Sequence, residues 1–205
     1  MFWAVFCLAL VGMIGVQAAL VDLDAYVTYS IYGPDGTTPL ANGSIVYIIG
    51  SLNSVVDPPQ SYGVTNYIAS SVTGDDVILG IVRIGDNVSS NGTFFTTVQY
   101  DSDAIDYVYI RFFDSTNNPP AGMVYWGTSS NYFIGPPTLG VSTVDFNPNT
   151  ANPLIASNYN NFVIVPEPSS ANLIVLVAGM AWAMRSSMKR RVKQGGVGVS
   201  EGGEK

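Results

Sequence analysis

Eight short runs rich in Val, Ile, Tyr, Phe and Thr, each closed off by Gly, Pro, Asn, Asp or Ser, dictate the fold class of this chain. They are YVTYSIYG, GSIVYIIGS, DDVILGIVRIG, GTFFTTVQY, DYVYIRFFDS, GMVYWGTSS, YFIG and NNFVIV. β-Branched and aromatic side chains fit a pleated, half-buried surface, and the intervening residues supply turns. Pro34-Asp35-Gly36 offers a preset φ, a side chain that bonds its own backbone and a residue free to take positive φ, and Asn91-Gly92 is a second strong turn. Apart from single turns near Asn53 and Ser70, the body carries no 3.6-residue period. The spacing predicts an all-β domain over residues 19–164, an antiparallel β-sandwich of roughly seven to nine strands. With 47% hydrophobic and 11% charged residues, such a domain can bury a core.

Alternation is clearest in DYVYIRFFDS. Val108, Ile110 and Phe112 project to one side and belong to the core, while Tyr107, Tyr109, Arg111 and Phe113 project to the other. Two readings stay open for that second side. It is either a further half-buried aromatic layer or an exposed ligand face, on which Tyr107, Tyr109 and Arg111, with Tyr125 and Trp126 of the next run, stack on a sugar or partner. Asp101, Asp103 and Asp106 place three carboxylates within six positions at a strand connection. That is either a solvated turn or a set of oxygen ligands for calcium, without the glycine and closing glutamate of an EF-hand. Asp75-Asp76, and Asp22 with Asp24, read as loop and edge charges.

The ionisable groups remove most catalysis. Residues 19–164 hold twelve aspartates, Arg83 and Arg111, a net charge of −10, and no lysine, glutamate or histidine. Neither a Ser-His-Asp, Cys-His or Ser-Lys nucleophile nor a histidine-ligated zinc site can be built from them. Two-carboxylate hydrolysis remains, and requires Asp101, Asp103, Asp106 and Asp114 to converge. FFDST, residues 112–116, resembles the start of an aspartic-protease signature, but Asn117 stands where glycine is required. No phosphate-binding loop is present, so calcium is the one cofactor that the body suggests. An acidic body also repels phosphate backbones, which excludes a nucleic-acid partner.

The termini carry addresses. Residues 1–18 are apolar and end in Val16-Gln17-Ala18, whose small residues suit signal-peptidase cleavage between Ala18 and Ala19. Cys7, the sole cysteine, lies inside that segment, so the mature chain has no thiol chemistry. At the other end, Val165-Pro166-Glu167-Pro168-Ser169 precedes an apolar stretch, then Arg185, Lys189, Arg190, Arg191 and Lys193. Prolines bar helix before Ser169, and a helix over 169–184 would run roughly 24 Å at about 1.5 Å per residue. With snorkelling Arg185 this suits a transmembrane helix. The basic cluster would stay cytoplasmic, leaving the body outside.

This ordered tail resembles the PEP-CTERM sorting signal of bacteria, recognised by the membrane protease exosortase. The resemblance covers residues 165–193, with a disordered Gly-rich tail over 194–205 beyond it. It implies an exported protein, held in the inner membrane by the C-terminal helix and passed to the cell surface or extracellular matrix, often alongside exopolysaccharide. Val165, Pro166, Glu167, Pro168 and Ser169 would carry recognition, with exosortase and signal peptidase as partners. For the body, a non-catalytic structural or adhesive role leads, ahead of a carbohydrate-binding module and a carboxylate-dependent hydrolase.

Overall fold

A computed structural model describes residues 20–63, 66–135 and 140–164. The chain divides into two units, Met1–Ile164 and Val165–Lys205, and all described residues belong to the first. The expected signal peptide, sorting signal and Gly-rich tail lie outside them. Among the described residues no helix is long and apolar enough to cross a membrane.

The fold is all-β. Its strands are β1 (Leu20–Tyr26), β2 (Ile45–Ser51), β3 (Gln60–Tyr62), β4 (Asn66–Ile68), β5 (Val77–Arg83), β6 (Phe95–Asp101), β7 (Tyr107–Phe113), β8 (Gly122–Thr128), β9 (Tyr132–Phe133), β10 (Val141–Asp145) and β11 (Asn158–Phe162). A small sheet runs β10-β1-β6, and a larger one β3-β4-β11-β8-β7-β2-β5, with β9 beside β7. Side chains of both sheets meet in one core: Leu23, Ala25 and Tyr100 from the small sheet, Val46, Ile48, Val108, Ile110 and Phe112 from the large. Burial of the Val, Leu, Ile and Phe side chains among them contributes roughly 1.5–3 kcal/mol each before conformational entropy is set against it.

Gly80 lets the sheets approach. A Cβ there would stand 2.5 Å from Val98 Cγ1 of β6, and the β2–β5 register slips beside it, between Ile48 and Ile49. The extra residue of such a bulge bends β5 locally.

A second apolar cluster lies on the other face of the large sheet. Ile45, Tyr47, Ile49, Tyr109, Phe113, Val124, Trp126 and Phe162 form it, with Val56, Tyr67, Val72 and Ile78 packed against them. Topology explains the cover. β2 and β5 are sequence neighbours across β3 and β4, yet β3 and β4 pair at the far edge, beyond β11. The chain therefore leaves β2, passes over β7, β8 and β11, and returns the same way, so residues 52–59 and 69–76 roof the face. This is why every residue of β2 is buried, as is β7 from Val108 to Phe113.

Three strand expectations need correction. The eleven strands among the described residues exceed seven to nine because β3, β4 and β10 are short and fall outside the apolar runs. Pairing is mixed, since β1–β10 and β4–β11 are parallel, as long crossovers permit. The first run, residues 26–33, is not a strand: β1 ends at Tyr26, and Asp145 accepts from Thr28 N at 3.1 Å and from the Thr28 hydroxyl at 2.5 Å. That side chain diverts the backbone, leaving Tyr32 in isolated bridges to Pro39 and Ile155.

Candidate functional site

Under the roof, the two crossing segments bring an acidic group against the buried end of β7. Asp57 precedes Pro58 and Pro59 on the outward crossing; Asp75 and Asp76 end the returning one. Carboxylate oxygens from the three lie within 4.8 Å of one another. Gly74, at φ +67°, turns the returning segment, and a Cβ there would fall 2.2 Å from Asp57 Oδ2. Only a residue without a side chain admits the Asp57 carboxylate so close to the backbone.

Each aspartate is held differently. Asp75 Oδ2 accepts from Leu52 N at 2.8 Å and from the Ser51 hydroxyl at 3.2 Å, while Oδ1 accepts from Asn53 Nδ2 at 2.6 Å. The carbonyl of Asp57 accepts from Arg111 Nη2, leaving its carboxylate outside that bond. Asp76 Oδ2 accepts from the Tyr109 hydroxyl at 2.5 Å. Oδ1 of Asp76 is buried with no hydrogen-bond partner. Burial pushes Asp76 above the ordinary carboxylate range, the Tyr109 bond opposes this, and the Asp57 and Asp75 charges raise it further.

Arg111 is wholly buried. Its Nη2 also donates to the Tyr109 hydroxyl at 3.2 Å, while Nε and Nη1 have no hydrogen-bond partner. Its guanidinium carbon lies 5.8 Å from the Tyr109 ring centroid and 5.7 Å from that of Trp126, which offers the cation two aromatic faces. Burial lowers its affinity for the proton, and the Tyr109, Asp76 and Asp57 neighbours oppose that. Burial likewise pushes the Tyr109 hydroxyl well up. The arrangement is an oxygen-rich cluster of the hard donor type that suits a hard cation.

The ligand face expected on Tyr107, Tyr109, Arg111, Tyr125 and Trp126 is corrected by burial. Tyr109 and Arg111 are at 0% and Trp126 at 8% exposure, because the roof covers their side of the sheet; the aromatic-layer alternative describes them. Tyr107 is half-buried and meets Phe133 edge-on at 5.4 Å. Tyr125, on the opposite face of β8 from Trp126, is exposed and pairs with Tyr159, ring centroids 4.5 Å apart.

Asp101, Asp103 and Asp106 do not form a ligand group; the carboxylates that converge among the described residues are Asp57, Asp75 and Asp76. Asp101 instead accepts from Asp103 N at 3.0 Å and builds a turn. Convergence with Asp114 also fails, since Asp106 and Asp114 flank the seven-residue β7, roughly 26 Å apart at about 3.3 Å per residue. Asp75-Asp76, expected as loop charges, instead join Asp57, and only their adjacency is visible in the sequence. Asp57 carries no local signal beyond the two prolines that fix its backbone, and only the crossing topology joins it to them. Ala18, Ala19, Val165–Ser169 and the cluster Arg185, Lys189, Arg190, Arg191 and Lys193 lie outside the described residues.

Comparison with protein-family models, curated proteins and solved structures gives no match to this chain.

Proposed function

We propose that this is an exported bacterial protein of the cell surface or extracellular matrix, delivered through a PEP-CTERM signal and serving a non-catalytic structural or adhesive role. The carrying observation is the ordered tail, a Pro166-Glu167-Pro168 motif, an apolar stretch and a basic cluster. The last described strand ends at Phe162, three residues before Val165, which supports reading the tail as an appended address. Two sheets around a shared core support a sandwich architecture for the exported body. Short polar strands such as β3, exposed throughout, suit a protein that must stay unpaired at high local concentration.

The test is replacement of Pro166, Glu167 and Pro168 by alanine in an exosortase-containing host, followed by fractionation. The variant is expected to accumulate in the inner membrane while the parent reaches the surface fraction. Equal distribution of the two contradicts the sorting role.

A carbohydrate-binding reading is favoured by one observation, the exposed Tyr125–Tyr159 pair, inclined at 34°. The outer ring face of such a stacked pair suits contact with a sugar ring. Titration with host exopolysaccharide should then change tyrosine fluorescence, and Tyr159→Ala should abolish the change. A flat titration removes this reading and leaves the structural one.

A further inference from the structure

We propose that Asp57, Asp75 and Asp76 hold a calcium ion that fastens the two crossing segments, residues 52–59 and 69–76, to each other over the outer face of the large sheet.

Two independent observations meet here. The first is convergence: oxygens of the three carboxylates lie within 4.8 Å, and two oxygens that each sit about 2.4 Å from one calcium ion can be at most about 4.8 Å apart. The second is a spare ligand atom. Asp76 is only 9% exposed, Oδ2 is taken by Tyr109, and Oδ1 is buried without a partner. An ionised oxygen in that position is costly unless something positive meets it. Arg111 makes no hydrogen bond to Oδ1: its Nη2 bonds the Asp57 carbonyl and the Tyr109 hydroxyl, and its Nε and Nη1 have no hydrogen-bond partner.

Charge and donor type select the ion. Three carboxylates beside one guanidinium leave a deficit of two positive charges. The donors are all hard oxygens, and the chain has no histidine, which disfavours zinc and copper and favours calcium. Asp57 and Asp75 are half-buried, so water can complete the shell. Gly74 is part of the design: its missing Cβ is what leaves Asp57 Oδ2 its place. The cation ties together two segments otherwise joined by few polar contacts, among them the Thr73 hydroxyl donating to the Pro58 carbonyl at 3.1 Å.

The site does not depend on the sorting proposal, and its test reads the ion whether or not the tail is processed. Full-length protein in detergent micelles, stripped with EDTA, is melted by circular dichroism while CaCl2 is added, with MgCl2 and NaCl in parallel. Calcium at about 100 times its Kd should raise Tm by about 5–10 °C, with magnesium giving a smaller rise and sodium none. Asp57→Asn, which keeps the carbonyl that Arg111 uses, should weaken calcium at least about tenfold. Asp103→Asn, in the other acidic turn, should leave the response unchanged. Terbium emission sensitised by the nearby Tyr109 and Trp126, displaced by calcium, is the second readout and needs no variant. No Tm shift with CaCl2 and no displaceable terbium emission overturn the proposal, as an Asp76 Oδ1 satisfied by water or by a proton would give. A calcium response that survives Asp57→Asn, or vanishes in Asp103→Asn, overturns it too.

Discussion

Strand alternation gives the side on which Arg111 projects and leaves open what covers it. Arg111 sits on β7 between Tyr109 and Phe113, and the sequence marks it only as facing away from Val108, Ile110 and Phe112. What lies over that side is decided fifty residues earlier, by the segment carrying Asp57. Truncation at Arg111→Ala would remove the donor to the Asp57 carbonyl and the Tyr109 hydroxyl and empty a wholly buried position. A loss of about 3–5 kcal/mol in urea unfolding is expected. Asp35 supplies the opposite case, an exposed aspartate whose role was legible. Its carboxylate accepts from the Thr38 hydroxyl at 2.5 Å, from Thr37 N at 3.0 Å and from Thr38 N at 2.8 Å, and these bonds, that of the hydroxyl foremost, lower its pKa from 3.8 to about 2. The folded form thus favours the ionised carboxylate. Its stabilisation is present above pH 3.8 and is lost as pH falls toward 2. Asp35→Ala should lower Tm at pH 7, and the two melting temperatures should converge as pH approaches 2.

Between strands, glycines and small polar residues decide which faces can touch. Gly80→Ala would drive a methyl into Val98, and overpacking of this kind costs about 1–3 kcal/mol. Adding Val98→Ala should restore most of that loss, which a double-mutant cycle in denaturant measures; equal losses in single and double variants would place the strain elsewhere. β2, β5, β6, β7 and β8 were legible because their apolar runs are long and closed by turns. β10, VSTVD, hides its inward Ser142 and Val144 behind small polar residues, and β3 and β4 have three residues each. Their pairing comes from distant partners rather than from their own composition. The same limit applies to the acidic cluster. Asp75-Asp76 stands out in the sequence, but the third ligand lies eighteen residues upstream and reaches it only because both segments cross the same sheet.

For the whole molecule, the parts fit a single division of labour. A β-rich body with a net charge of −10 over residues 19–164 holds, among the described residues, one group of three converging carboxylates, while the cationic residues gather beyond residue 184, apart from Arg83 and Arg111. Segregation of charge this complete suits a body that is translocated and a tail end that is held back. The intact mass of the protein recovered from the surface fraction of an exosortase-containing host tests this most directly. The expected chain lacks residues 1–18 and also the residues beyond the proline motif. Recovery of the full 205-residue, 21.8 kDa chain, or of one that retains the basic cluster, would contradict it.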